Sequence, residues 1–209
     1  MGRTRSILMW VVVALVSIVP LVAAANSPLL AWRDPIYILA GFAGVAGLVL
    51  LLLQPLLAAG LLPGLSRARA RRMHRVFGLS LIVAILVHVA GLWITSPPDM
   101  IDALLLASPT PFSIWGVLAM WTAFAALALA ALRGRLPLRP RHWRYLHMTF
   151  AALVVLGTVL HAVLIDGTME TASKSALCTA TLVAALAAVW RIRSQYGHAA
   201  AKPADKTVR

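Results

Sequence analysis

Six apolar runs alternate with polar connections along this chain, roughly over residues 7–25, 36–53, 76–95, 112–132, 148–165 and 172–192. Most reach the length of about 18–20 residues that lets a helix cross the hydrocarbon core of a bilayer. The sixth is the weakest, because Ser173, Lys174 and Ser175 interrupt its start. The second extends past Gln54 and Pro55 toward Leu62 if the helix kinks at the proline. The pattern predicts an all-α integral membrane protein, a bundle of six transmembrane helices.

Composition agrees. The chain is 61% hydrophobic and 12% charged, too apolar for a soluble domain. Its one cysteine, Cys178, excludes an internal disulfide framework, a cysteine-held iron–sulfur cluster and a C-x-x-C-H heme attachment. The net charge of +13 raises the question of nucleic acid, but its distribution answers otherwise. Arg3 and Arg5 precede the first run, and Arg67, Arg69, Arg71, Arg72 and Arg75 lie between the second and third. Arg133, Arg135, Arg139, Arg141 and Arg144 lie between the fourth and fifth, and Arg191, Arg193, Lys202, Lys206 and Arg209 follow the sixth. The alternate connections hold only Arg33 and Lys174, with Asp34, Asp99, Asp102, Asp166 and Glu170. The positive-inside rule then puts both termini in the cytoplasm. The basic excess is a topology signal, and no nucleic-acid partner is expected.

Residues 1–35 are read as a first helix with its outer loop, and 193–209 as a polar cytoplasmic tail expected to be disordered. The first run also carries marks of a secretory signal peptide, with Arg3 and Arg5 ahead of it and small residues at Ala23–Ala25.

Four histidines fall in these runs or at their edges, and their spacing repeats. His74 and His88 are fourteen residues apart, as are His147 and His161. Fourteen residues of α-helix rise about 21 Å over roughly four turns, so each pair shares a helix face. Ionisable residues inside a span are rare and usually functional. The third and fifth runs cross in the same direction, which matches His74 with His147 near the cytoplasmic boundary and His88 with His161 further out. Taken singly, each histidine has a plain reading as a boundary or core residue; equal spacing and matched depth favour two metal centres. Zinc commonly takes more protein ligands, including cysteine or carboxylate, and no Asp or Glu lies within a run. Two imidazoles suit heme iron, to which the porphyrin already supplies four nitrogens. Arg71, Arg72, Arg75, Arg141 and Arg144 are placed to pair with the propionates of an inner heme.

Other features carry less. His142 lies five residues before His147 and faces elsewhere, as an interfacial residue; His198 is in the tail. Gly41, Gly44 and Gly47 fit close helix packing or a nearby heme better than a dinucleotide fingerprint. Trp93 and Trp115 fit an outer aromatic belt. Met73 and Met148 adjoin the inner histidines but are ordinary apolar residues.

The stretch Arg71-Arg72-Met73-His74-Arg75-Val76-Phe77-Gly78-Leu79 followed by His88 resembles the third helix of the ferric reductase-like transmembrane domain. The stretch His142-Trp143-Arg144-Tyr145-Leu146-His147 followed by His161 resembles its fifth helix. The likeness covers roughly residues 36–192. The family includes ferric reductases, NADPH oxidases and the heme-binding membrane subunit of the bacterial periplasmic methionine sulfoxide reductase system. The resemblance implies two b-type hemes stacked across a bacterial inner membrane. It assigns His74 and His147 to the inner iron and His88 and His161 to the outer, with Arg72, Arg75 and Arg144 as heme-binding residues.

It further implies electron transfer from a cytoplasmic-side donor to an outer acceptor, as an oxidoreductase component without its own NAD(P)H domain. The donor is then separate, a flavin reductase or a quinol, and a flavin or quinone is a further candidate cofactor. An alternative within the class is a membrane anchor feeding a periplasmic reductase. The alternatives of other classes are a proton or metal transporter using the intramembrane histidines, and a membrane assembly protein without cofactor.

Overall fold

The computed structural model describes residues 2–200, with side chains described through Ser194. Among these residues the chain forms α1 (Arg3–Ala25), a 3₁₀ turn (Pro28–Leu30), α2 (Pro35–Ala58), α3 (Arg67–Thr95), α4 (Pro97–Leu104), α5 (Ser113–Ala131), α6 (Pro140–Leu164) and α7 (Thr171–Ala200). All but α4 are long and apolar enough to cross a membrane, so the architecture is the expected all-α bundle of six spans. The short α4 lies between apolar runs. Helix α7 continues to Ala200, past the end expected near Ile192. The rest of the expected tail, 201–209, lies outside the described residues.

Local chemistry sets the helix ends. Asp34 Oδ1 accepts from the N–H groups of Ile36 at 2.7 Å and Tyr37 at 3.4 Å, capping α2. Ser66 Oγ accepts from the N–H of Arg69 at 3.3 Å, capping α3. Pro35, Pro97 and Pro140 occupy first helical positions, where a missing N–H costs nothing. Helix α2 runs through Pro55 and stops where Gly60 takes φ +60°. There Leu61 N–H donates to Leu56 O and Gly60 N–H to Leu57 O, a Schellman closure that favours glycine.

Helix α2 packs along α3, and α5 along α6. Helix α7 lies against both α2 and α6, and α1 sits against α7 and α2. The core joins Leu48, Leu51 and Leu52 of α2 with Val154 and Val155 of α6 and Leu177 of α7. Large apolar side chains also point outward, including Leu79, Val83 and Leu86 on α3 and Leu186 and Trp190 on α7. Helices apolar on every side belong in lipid, where the backbone must satisfy its own hydrogen bonds.

Glycine sets the spacing of both helix pairs. A Cβ on Gly91 of α3 would lie 2.8 Å from Ala40 Cβ, and one on Gly157 of α6 would lie 3.1 Å from Ala119 Cβ. Small residues of this kind let helices approach in a membrane. Gly91→Val should overpack the α2–α3 contact, cost about 1–3 kcal/mol and lower the thermal midpoint in detergent. Gly134→Ala, with nothing within 4 Å of the new Cβ, should leave it in place. Equal midpoints for the two variants would contradict the packing argument.

Candidate functional site

Two histidine pairs meet between α3 and α6. His74 faces His147 with ring centroids 6.4 Å apart and planes at 75°. His88 faces His161 at 6.3 Å and 83°. The fourteen-residue spacing on each helix puts the first pair at the Arg-rich end and the second toward the opposite end.

The second pair is held by the backbone of neighbouring helices. His88 Nδ1 lies 2.7 Å from Ala40 O on α2. His161 Nδ1 lies 3.0 Å from Phe112 O, which caps α5. A carbonyl only accepts, so in each ring Nδ1–H donates and Nε2 keeps its lone pair.

A helix carbonyl is normally screened by the side chain four residues on. Four residues after Ala40 and Phe112 stand Gly44 and Gly116. A Cβ on Gly44 would lie 3.1 Å from His88 Nδ1, and one on Gly116 would lie 2.6 Å from His161 Nδ1. Each glycine bares a carbonyl and leaves space for the imidazole that bonds it. Gly44 thus packs against a candidate ligand, while Gly47 meets Leu81 and Ala84 in ordinary contact.

The Arg-end pair is supported differently. Gln54 of α2, with its amide nitrogen toward His74, donates to His74 Nδ1 at 2.8 Å and to the His74 carbonyl at 3.2 Å. Its oxygen then accepts from Gly78 N–H at 3.0 Å. A side-chain amide turned by half a revolution accepts from Nδ1–H instead, so this partner serves either tautomer. His147 is held by stacking: Trp143, four residues earlier, lies parallel to its ring with centroids 5.1 Å apart. Trp143 Nε1 donates to Leu129 O at 3.0 Å, and the Arg133 guanidinium sits 4.5 Å over the indole. His147 Nδ1 is buried without a partner among the described residues.

Arg72, Arg75 and Arg144 are exposed at this same end, each within a helical turn of His74 or His147. His142 is exposed and takes no part in the pair. Trp93 is exposed, and Trp115 is half-buried, with its carbonyl against Gly157.

The donor sets fit a metal that needs two protein ligands. With metal–nitrogen bonds of about 2.0 Å and half a ring at each end, two imidazoles trans on one ion place their centroids about 6 Å apart. Both pairs have that separation. Among the described residues no group of three or more His, Cys, Asp or Glu is placed to share a metal, so the remaining ligands would come from the cofactor, as in heme. A cavity of about 460 Å³ opens at the second pair between α2, α3, α5 and α6, bordered by α4 and the α6–α7 connection. That volume lies in the range of cofactor pockets.

Three supports lie outside the histidine pattern. Gln54 stands in the sequence as the lone amide of an apolar span. Gly116 falls four residues after an aromatic at a helix start, which has no distinctive signature. Trp143 lies one helical turn before His147, a spacing that permits stacking.

The family model described as ferric reductase like transmembrane component matches residues 40–158, more than half of the chain. His74, His88 and His147 fall inside that match and His161 just beyond it. Neither a curated protein nor a solved structure matches the chain.

Gly116→Ala should push His161 off Phe112 O, and Gly44→Ala should disturb His88 less, given the longer approach there. The histidine side-chain ¹⁵N and N–H resonances of labelled protein report each Nδ1–H bond. The His161 signal should lose its hydrogen-bonded shift in Gly116→Ala; an unchanged signal would refute the role given to Gly116.

Proposed function

Because the chain belongs to the ferric reductase-like transmembrane component family, we propose that it carries electrons across the membrane through two b-type hemes, one at each histidine pair. The observation that carries this reading is the double recurrence of facing imidazoles, at 6.4 and 6.3 Å, with no third His, Cys, Asp or Glu ligand beside either among the described residues. Bound heme iron supplies a one-electron ferric–ferrous couple.

The chain's own residues do the rest. His88 and His161 present Nε2 toward a common axis, because Ala40 O and Phe112 O hold their Nδ1 protons. At the Arg-rich end Gln54 and Trp143 back His74 and His147, and His74 would offer Nε2 once the Gln54 amide turns its oxygen to Nδ1–H. Fourteen residues separate the levels on each helix, about 21 Å of rise. Leu81 and Ile85 of α3 and Val154 of α6 occupy the interval and keep it apolar. Arg72, Arg75 and Arg144 offer guanidinium groups to the propionates of the first heme, a geometry suited to carboxylates.

The positive-inside rule supports a cytoplasmic Arg-rich end. The donor, a flavin reductase or quinol, then delivers electrons there, and an acceptor takes them at the opposite face. With His74 and His147 holding one heme and His88 and His161 the other, the hemes would supply electron transfer alone, with no iron position left open to an acceptor.

Purified protein expressed with ample heme should carry two hemes per chain. His88→Ala and His161→Ala should each lose the far heme and about half of the reduced α-band. His74→Ala and His147→Ala should lose the other half. A colourless wild type would sink the proposal.

The ring planes stand at 75° for His74–His147 and 83° for His88–His161, and near-perpendicular imidazoles holding a ferric heme would bring two of its d orbitals close to degeneracy. Electron paramagnetic resonance of the oxidised protein should therefore show dominant large-g signals at both sites. A conventional three-line rhombic spectrum would contradict the ring orientations.

A further inference from the structure

Lys174 is placed where a lysine is hard to accommodate. Its side chain is 6% exposed, and it stands in the first turn of α7, a 30-residue helix. A helix N-terminus carries partial positive charge and disfavours cations. The first turn of α7 contains no acidic residue. The nearest carboxylate, Asp166 Oδ1, is 4.0 Å away on a fully exposed side chain, where solvent screens most of the attraction. Among the described residues the ammonium makes one hydrogen bond, donating to Ile165 O at 2.7 Å. An ammonium has three donors, and a buried charge without a close counter-ion is destabilising.

The same lysine lines the cavity that contains His88 and His161. It is the only Lys or Arg among the lining residues. Around it, the α6–α7 connection roofs the cavity through Gly167, Thr168 and Met169. Thr168 Oγ1 presses against the bare Cα of Gly41, where no side chain would fit, so this roof is seated directly on α2. Asp99 and Asp102 also border the cavity, both exposed, with Asp99 accepting from Ser96 Oγ. Arg33 stands outside it, exposed above the Tyr37 ring. Among the described residues at this end of the bundle, then, the one buried Lys or Arg faces the cavity of His88 and His161, and its nearest carboxylate is the fully exposed Asp166.

We infer that Lys174 binds a propionate carboxylate of the heme held by His88 and His161, so that one residue does at this end what the arginine cluster does at the other. The inference rests on the diheme reading above. A heme carboxylate would supply the enclosed counter-ion that the exposed Asp166 does not, and the α7 N-terminus would add its own attraction for it. The lysine in turn favours the less positive, ferrous state of that heme and raises its midpoint potential.

Redox-difference infrared spectroscopy on the diheme protein, loaded with heme ¹³C-labelled at the propionates, tests this. Lys174→Gln should shift the labelled carboxylate bands and lower the potential of the His88–His161 heme, with the other heme unchanged. Lys174→Arg should restore both. Loosening of the roof alone would leave the labelled bands in place. Wild-type bands with an unshifted potential in Lys174→Gln would overturn the inference while leaving two hemes bound. A wild type that binds no heme would instead defeat the reading on which it rests.

Discussion

An imidazole that reaches a carbonyl inside a neighbouring helix is the contact on which the rest of this bundle depends. Helix carbonyls are already engaged with the N–H four residues on, and a side chain at that later position usually covers them. Glycine at 44 and at 116 removes the cover. The carbonyl then takes a second donor: Phe112 O accepts both Gly116 N–H at 3.2 Å and His161 Nδ1–H at 3.0 Å. In a medium without water an imidazole N–H left unpaired is costly, so this bond sets both the tautomer and the direction of Nε2. The close approach of α2 to α3 and of α5 to α6, through Gly91 and Gly157, follows from the same need to bring ring and backbone together.

The two levels solve one problem by different means. A main-chain carbonyl cannot turn, so the His88–His161 level is committed to one protonation pattern. Gln54 can turn, and Trp143 contributes a surface without a directional bond to His147. The Arg-rich level is therefore more adaptable, and it lies where the chain has abundant guanidinium groups. The opposite level is rigid, enclosed and poor in cations.

Much of this is legible in the sequence because the bilayer simplifies the code. Span length and loop charge define six helices, and fourteen residues on two parallel helices force four histidines into two levels. The family likeness at 71–79 and 142–147 adds the class of chemistry. The supporting groups are not legible in the same way. Ala40 and Phe112 act through backbone oxygens, which carry no side-chain signature. Gly116 is one of many small residues, and only its distance from His161 distinguishes it. Lys174 reads as an interruption of an apolar run, and its burial comes from the fold of the α6–α7 connection. Helix α4 is too short and too polar at Asp99 and Asp102 to stand out by hydropathy, and Pro97 starts it locally.

The repetition of the carbonyl–glycine–histidine arrangement has a consequence for assembly. Helices α2 and α3 form one hairpin and α5 and α6 another, each with extensive internal contact, while α3 and α5 touch little and α7 bridges the two from one side. Every histidine pair takes one ring from each hairpin. Neither hairpin alone contains a complete site, so whatever binds between the rings binds only the docked state and draws the halves together by mass action. The two histidine pairs thus lie on the seam of the bundle, where a shared ligand would join its halves.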